Sequence, residues 1–364
     1  MTSINVLSWW YIIAFFIILG LLLMNCKQRQ TKTSYYLVFA YLTLIAGLRK
    51  GYVDTPLYRR SFEVLDVSSV FSWDTLKSLK SPGFGIFQGI IKLITDNSQI
   101  FILACALVTI GFYVYGMKKY SIDPVLGIFV MVTCGCYIDS MNGIRQSLVA
   151  AFLFFCLPKF IEEKKFAKYC VVVLIASTVH STCLIFIPLY FICSFKPWSK
   201  WTVFLSIGFC FYALLFTTSF GNSITAILET TLNASYASSF DGSREGVNII
   251  RVFVAAVPVA LAFLTRDNPV KEGFPAYKVF FNLSVVNLVT WVAAAKILYF
   301  YRLAYYTTPF MIVDLCYEIY AIREQKTKQL VIVCACVLFL AFCFYDLSGS
   351  TFFYSYLNLP SYYQ

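Results

Sequence analysis

Charged side chains are scarce in this chain of 364 residues: Asp, Glu, Lys and Arg together make up 13% of it, whereas a soluble protein has about 25%. Hydrophobic residues make up 60%, and they include 36 Phe and 26 Tyr. So little charge cannot cover a water-exposed surface, and the apolar segments must therefore face lipid or one another. We predict a single integral membrane domain over residues 1–364, an all-α polytopic transmembrane helical bundle of about 10–12 spans.

Histidine is scarce and CxxC motifs are absent. The chain has one His, which excludes a metal cluster built from several histidines. Its thirteen Cys are scattered through apolar segments, where free Cys behaves as a small hydrophobe. We predict no disulfide framework, no metal site and no cofactor. The first apolar stretch, about 5–24, lacks a basic leader region and a cleavage site, so we interpret it as a retained span.

Basic residues outnumber acidic residues by 29 to 18 and give a net charge of +11. In a membrane protein this excess is explained first by cytoplasmic loops, which are rich in Lys and Arg, and not by nucleic acid. The same bias places two polar loops outside, 49–97 and 220–248. The apolar piece 84–94 is too short to span easily, and we interpret it as a re-entrant or interfacial helix. The predicted spans are about 5–24, 34–48, 98–116, 124–141, 143–159, 201–219, 249–265, 279–296, 302–321 and 330–347.

The segment 169–195 is apolar, but polar residues around His180 interrupt it. Two interpretations are open: one tilted span, or a hairpin of two half-length helices that meet near His180. A single span would place the later basic loops 266–278 and 323–328 outside, against the charge bias of membrane proteins. The charge distribution therefore favours the hairpin.

Twelve of the 29 basic residues fall on the predicted outer side, where the loop rule does not explain them. Four are arginines at outer helix ends: Arg49, Arg145, Arg251 and Arg302. A single such side chain can simply extend to the lipid headgroups. Four at one side suit a phosphate ligand, because a guanidinium fork binds phosphate through two parallel hydrogen bonds. A diphosphate on a polyprenyl carrier would need such a site at this depth.

The first outer loop begins with the stretch from Arg49 to Tyr58, in which Gly51 and Pro56 flank the carboxylate of Asp54. An ordinary turn explains this composition, since all three residue types are common in turns. The functional alternative is a sugar-binding or catalytic loop. Asp54 would then accept hydrogen bonds from hydroxyls or stabilise an oxocarbenium-like centre, and Tyr58 would stack on a sugar face.

Two further positions are candidates for the chemistry. Arg145 and Gln146 open a predicted span, and the first turn of a helix favours an anion through its free N–H groups and its dipole. His180 is the only side chain that ordinarily titrates near neutral pH, and Ser and Thr surround it in the sequence. It is either a buried histidine hydrogen-bonded to those hydroxyls or a general base beside a sugar hydroxyl.

Four stretches together resemble the EpsG-like family of Wzy-type polysaccharide polymerases, and they cover the chain from about 49 to 310. They are Arg49 to Tyr58, Gly143-Ile144-Arg145-Gln146-Ser147 at the start of a span, His180-Ser181-Thr182 followed by an apolar run to Pro188, and Phe300-Tyr301-Arg302-Leu303-Ala304-Tyr305 at the start of a late span. In the first stretch Lys50 intervenes before Gly51, and Tyr52-Val53 stands where many relatives carry a smaller Val-Gly pair. That departure concerns the geometry of the loop.

The resemblance implies a GT-C-like membrane glycosyltransferase that acts on the outer face of a bacterial cytoplasmic (inner) membrane. The donor would be a growing glycan on undecaprenyl diphosphate, as for lipopolysaccharide or capsule, and the acceptor one lipid-linked repeat unit. Arginines would hold the diphosphate leaving group, a base would take the acceptor proton, and tyrosines would contact sugar. The implied catalytic residues are His180, Asp54 and Arg145, and the implied substrate-binding residues are Arg49, Tyr58, Gln146, Arg251, Tyr301 and Arg302.

Two rival functions fit parts of the same pattern. A flippase for the same lipid-linked glycans would also need a cationic cavity, but the candidate residues cluster on one side and no repeated halves are visible. A membrane O-acyltransferase would also use one His, but it would want His180 nearer the inner side. Besides membrane lipid, the polymerase interpretation implies a chain-length regulator and a flippase as partners.

Overall fold

The computed structural model describes residues 6–215, 246–296 and 298–348, and every regular element in these ranges is helical. The predicted all-α polytopic bundle is thereby confirmed. The predicted loop 220–248 lies outside the described residues up to position 245. The helices are α1 (Val6–Arg29), α2 (Lys32–Gly47), α3 (Thr55–Glu63), α4 (Val67–Val70), α5 (Trp73–Ser78), α6 (Pro82–Lys92), α7 (Ser98–Tyr120), α8 (Pro124–Thr133), α9 (Cys136–Asp139), α10 (Ile144–Glu162), α11 (Phe166–Ser177), α12 (Phe186–Cys193), α13 (Lys200–Leu215), α14 (Ile249–Leu264), α15 (Tyr277–Ala294), α16 (Tyr301–Tyr320) and α17 (Gln325–Ser348), with 3₁₀ segments at Ser181–Ile185, Pro269–Gly273 and Leu298–Phe300.

Five helices in the described part of the chain are long and apolar enough to cross a membrane, with mean hydropathies of 1.3 to 2.6. They are α1, α7, α10, α15 and α17. Each has at least 18 residues, and 18 residues of helix span about 27 Å, close to the thickness of a hydrocarbon core. Shorter apolar helices, among them α8, α11, α13 and α14, complete the bundle.

The basic loops of the chain converge at one end of the bundle, which we call the basic end. Lys27, near the end of α1, pairs with Asp123, the N-cap of α8. Tyr320 near the end of α16 donates to the same carboxylate at 2.6 Å. Glu162 at the end of α10 accepts the backbone N–H of Ala276 at 3.1 Å. Helices α10 and α16 both end here, so the residues that open them lie about 27 Å away, at what we call the site end.

Helices α11 and α12 form an antiparallel hairpin. The ring of Phe166, the first residue of α11, lies 4.8 Å from that of Tyr190 near the end of α12. Halfway along, the thiol of Cys183 donates to the carbonyl of Val173 at 3.7 Å. The turn between the arms holds the sole histidine. The hairpin interpretation of 169–195 is therefore confirmed.

The predicted span 124–141 is not one helix, because the chain breaks at Gly135 between α8 and α9. Gly135 has a φ of 92°, in the left-handed region that glycine adopts without steric cost. A Cβ atom there would lie 3.4 Å from Oδ2 of Asp139 and 3.7 Å from Nη1 of Arg251. The break therefore admits an ion pair close to the backbone, which a continuous helix would not do.

The polar segment 49–97 folds into four helices at the site end, α3 to α6, of which α3 and α6 pack against α7 while α4 and α5 pack against α6. The predicted apolar piece 84–94 corresponds to α6. Its Phe84 and Ile91 are buried, whereas Ile86 and Ile90 are exposed. Because α6 is apolar on both faces, its exposed face suits the interface of a bilayer.

Candidate active site

The imidazole of His180 lies in a triangle of hydrogen-bonding groups at the turn of the hairpin. Its Nδ1 atom is 2.8 Å from Oγ1 of Thr182 and 3.0 Å from the hydroxyl of Tyr306. The two hydroxyls are 2.9 Å from each other. Within the described residues Nε2 has no hydrogen-bond partner. If Nδ1 donates its proton to a hydroxyl, Nε2 keeps a free lone pair, as a general base requires.

Tyr306 was not predicted from the sequence, although a signal for it exists. It follows Arg302 by four residues, and residues spaced by four lie on the same face of a helix. Its ring also packs 5.9 Å from that of Phe186, which fixes its position against the hairpin. Helix α16 therefore carries a guanidinium and the hydroxyl that contacts His180 on one face.

Arg145 opens α10 and has no acidic partner among the residues that the structure describes. Its Nη1 donates to Oγ of Ser81 at 2.9 Å. The guanidinium lies 6.0 Å from the ring centre of Tyr58 and 5.9 Å from that of Phe84, within cation–π range. Its Nε atom is buried without a hydrogen-bond acceptor. A charged donor left in this state can take up an anion at a helix N-terminus.

Arg302 and Gln146 tie α16 to α10. The side-chain amide of Gln146 donates to the backbone carbonyl of Arg302, and Gln146 is buried. The Nε atom of Arg302 donates to the hydroxyl of Tyr301 at 3.3 Å, and the guanidinium lies 5.8 Å from that ring. Tyr306, one helical turn after Arg302, contacts His180 at 3.0 Å, and Ser81, which accepts from Arg145, lies two residues before the Gly83 that contacts the hairpin turn. The predicted residues Arg145, Arg302, His180, Gln146 and Tyr301 therefore come together.

Helix α6 closes onto the hairpin turn at Gly83. The backbone N–H of Gly83 donates to the carbonyl of Thr178 at 2.9 Å. A Cβ atom on Gly83 would lie 2.2 Å from Oγ1 of Thr178 and 3.1 Å from its carbonyl carbon, so only glycine allows this approach. This contact brings Ser81 next to Arg145 and so attaches the segment 49–97 to the site.

Asp54 stands at the N-cap position of α3, and its side chain makes no cap hydrogen bond. It is half-buried, and none of the described residues pairs with its carboxylate. One turn later Tyr58 donates its backbone N–H to the Asp54 carbonyl at 3.2 Å. Since Tyr58 lies beneath Arg145, the carboxylate of Asp54 is about one helical turn from the arginine site.

Unlike Arg145, Arg49 and Arg251 have their guanidinium groups bound by other groups of the protein. Arg49 is fully buried, and it donates to Thr55 at 2.9 Å, to the Met141 carbonyl at 3.1 Å and to the Ala46 carbonyl. Burial lowers the pKa of Arg49 to about 10, so it stays protonated at neutral pH. With all of these donors used, the predicted diphosphate contact of Arg49 gains no support from the geometry.

Arg251 is held between two carboxylates. Its Nη1 lies 3.9 Å from Oδ2 of Asp139, and its Nη2 donates to Asp346. The rings of Trp291 and Phe342 lie 5.5 and 5.7 Å from the guanidinium. Because two negative charges already surround it, a third anion would be repelled, and the predicted substrate contact of Arg251 likewise gains no support.

The described residues contain no group of three or more His, Cys, Asp or Glu side chains placed to hold a metal ion. All thirteen cysteines are free thiols. The polar groups of the site are its arginines, its histidine, its hydroxyls and the carboxylate of Asp54.

Fold and site together define a polytopic helical membrane protein with a cationic, hydroxyl-rich cluster at one end of its bundle. The chain matches the model of the EpsG family over residues 32–359, and it belongs to that family. Membership relates it to exopolysaccharide biosynthesis at a membrane. No curated protein and no solved structure matches the chain.

Proposed function

We propose that this protein is a Wzy-type polymerase that joins undecaprenyl-diphosphate-linked oligosaccharide repeat units on the outer face of the bacterial cytoplasmic membrane. One observation carries the proposal: at the site end, His180, whose Nε2 has no hydrogen-bond partner among the described residues, lies on a hairpin turn that contacts the elements carrying Arg145 and Arg302. A base and two cations are what transfer from a diphosphate leaving group requires. The 17 basic residues of the loops that gather at the other end support the outward orientation.

The arginines bind the departing diphosphate. As the bond between the anomeric carbon and the phosphate oxygen breaks, its electron pair stays with the phosphate, and negative charge grows there. Arg145 offers a fork of N–H donors at the start of α10, where the helix dipole adds to its charge. Arg302 approaches from α16. Gln146, by holding the Arg302 backbone, fixes the separation of the two helices.

His180 takes the proton of the acceptor. Nδ1 is held by Thr182 and Tyr306, so Nε2 can accept the hydroxyl proton as the acceptor oxygen bonds to the anomeric carbon. Asp54 is the second candidate for this role, since its carboxylate is free of protein partners among the described residues. The rings of Tyr58 and Tyr301, each beside one of the arginines, provide surfaces for sugar.

The same cationic cluster favours one rival, a flippase for the same lipid-linked glycans. An O-acyltransferase is disfavoured, because His180 lies at the end opposite the basic loops, where cytoplasmic acyl-CoA would not reach it. The flippase differs from the polymerase in one respect that can be measured. A polymerase joins repeat units without a second membrane component, whereas a flippase only moves them.

The deciding experiment supplies purified protein in liposomes with synthetic undecaprenyl-diphosphate-linked repeat units and separates the products by size. We expect a ladder of glycans with the wild type and a single repeat with His180→Ala. In cells, His180→Ala should still display single-repeat glycan at the surface. If liposomes that contain folded wild-type protein form no ladder, the polymerase proposal is refuted. If the His180→Ala cells keep single repeats inside and display none at the surface, the flippase function is favoured.

A further inference from the structure

A cavity of about 670 Å³ opens at the basic end, where the end of α10, the loop before α13 and the loop between α14 and α15 meet. It is remote from the candidate active site, because α10 separates Arg145 from the cavity residue Glu162 by about 26 Å. Its volume lies in the range of small-molecule sites, about 300–1,000 Å³. Nothing in the proposed glycosyl transfer uses this cavity.

Four cations line the cavity, and the protein neutralises only some of them. Lys196 and Lys278 line it, and neither has an acidic partner among the described residues. Arg266 stacks on Phe263 at 4.3 Å and pairs with the exposed carboxylate of Asp267 at 3.6 Å. These three side chains present donors around one opening.

The remaining charged groups of the lining are mostly engaged. Lys271, which is buried, pairs with Glu318 at 2.6 Å. Glu162 accepts the N–H of Ala276 at 3.1 Å. Glu272 is exposed to solvent. The lining therefore carries carboxylates as well as cations, and Lys196 and Lys278 are the cations left without an acidic partner among the described residues.

Trp198 supplies a second, independent observation. Its indole Nε1 is buried and has no hydrogen-bond acceptor, although a buried N–H nearly always has one. Its φ of 59° lies in the left-handed region, which a tryptophan rarely adopts. The rings of Phe263 and Phe281, at 5.7 and 5.1 Å, hold the indole in this position on the cavity wall. An acceptor from outside the chain would complete the donor.

We propose that this cavity binds a phosphate group, either of an anionic phospholipid headgroup or of a free phosphate compound. Phosphate oxygens accept hydrogen bonds from ammonium, guanidinium and indole N–H groups alike. Basic pockets between transmembrane helices are sites for anionic headgroups. The cavity lies where apolar helices end, which is the depth of the headgroups.

The test measures the thermal unfolding midpoint of the full-length protein in detergent, titrated separately with phosphatidylglycerol, phosphatidylcholine and inorganic phosphate. Two variants are compared with the wild type. The first combines Lys196→Gln and Lys278→Gln. The second is Trp198→Phe, which keeps an aromatic ring but removes the N–H donor. The matched control is Lys168→Gln with Lys326→Gln, which removes the same charge from exposed positions at the same end.

We expect phosphatidylglycerol to raise the midpoint saturably and phosphatidylcholine not to. The lysine pair should raise the half-saturating concentration at least tenfold, Trp198→Phe several-fold, and the control less than twofold. If inorganic phosphate also raises the midpoint saturably and competes with phosphatidylglycerol, the cavity is a site for free phosphate compounds. If inorganic phosphate has no such effect, the cavity is a lipid site. If the control weakens binding as much as the lysine pair, or if no phosphate compound shifts the midpoint, the proposal fails. If the double lysine variant does not fold, the half-saturating concentration of phosphatidylglycerol for Trp198→Phe alone tests the proposal.

Discussion

At the scale of single residues, the candidate active site depends on which polar groups the protein leaves without partners. Arg49 and Arg251 have the same side chain as Arg145, but carbonyls and carboxylates surround them. Arg145 keeps a buried Nε without an acceptor. The sequence identified all four arginines by position alone. It could not separate them, because partners such as Met141 and Asp346 lie about 90 residues away.

Replacing Arg145 by Lys keeps the charge but removes the fork of donors. We expect the polymerisation rate to fall at least about tenfold, or about 1.4 kcal/mol, because the lost hydrogen bond strengthens as the leaving group gains charge. The measurement is glycan formed per minute from the synthetic lipid-linked repeat. Arg60→Lys, at an exposed position of α3, is the control and should retain the wild-type rate. Equal rates for both variants would remove Arg145 from the site.

Replacing Tyr306 by Phe removes one hydroxyl from the His180 triangle while its ring stays against Phe186. We expect kcat to fall about five- to tenfold with little change in KM, because the hydroxyl orients the imidazole and does not bind substrate. Tyr36→Phe, at an exposed position on α2, serves as the control. A rise in KM alone would instead place the Tyr306 hydroxyl in contact with the glycan.

At the scale of elements, the site is assembled where helices begin and turns close. Helices α10 and α16 provide their first turns, the α11–α12 hairpin provides its tip, and α6 attaches through Gly83. Hydropathy predicted the helices and charge favoured the hairpin. The tight contact of Gly83 with Thr178 was not predictable, because no local pattern marks a glycine whose neighbour lies about 95 residues away.

Substituting Gly83 by Ala tests the attachment of α6. The new Cβ would lie 2.2 Å from Oγ1 of Thr178, so α6 must move away, at a cost of about 1–3 kcal/mol. We expect both the unfolding midpoint and the polymerisation rate to fall. Gly208→Ala, where the Cβ would meet nothing within 4 Å, should change neither quantity. A Gly83→Ala protein with full activity would show that Ser81 and α6 do not shape the site.

The ion pairs of Arg251 join α9, α14 and α17, so they stabilise the bundle at the site end. Arg251→Ala leaves Asp139 and Asp346 facing each other, and we expect it to lower the free energy of unfolding by about 2–3 kcal/mol. Adding Asp139→Asn and Asp346→Asn should recover part of this loss, because no unpaired charge then remains. Thermal denaturation measures both effects. Lost activity without lost stability would instead return Arg251 to the substrate-binding residues.

At the scale of the whole molecule, composition and charge sufficed for the class of fold, because lipid imposes helices and the basic loops gather at one end. The break at Gly135 was missed, since hydropathy continues across it and only the left-handed φ reveals it. The family motifs named Arg145, His180 and Arg302, which the structure brings together, and their roles in catalysis stay predictions. The hydrogen bonds of the site, including those of Tyr306, depend on packing between helices that are distant in the chain. They therefore cannot be predicted from any single stretch of sequence.

The orientation of the bundle can be tested directly through its last helix. Helix α17 starts at Gln325, beside the basic loops, and runs toward the site end, so residue 364 should lie outside the cytoplasm if the basic end faces inward. A reporter active only in the cytoplasm, fused after Gln364, should be silent. The same reporter fused after Glu324, before α17, is the matched control and should be active. Strong reporter activity after Gln364 together with no activity after Glu324 would show that the bundle has the opposite orientation in the membrane. The candidate active site would then face the cytoplasm, and transfer on the outer face would be ruled out.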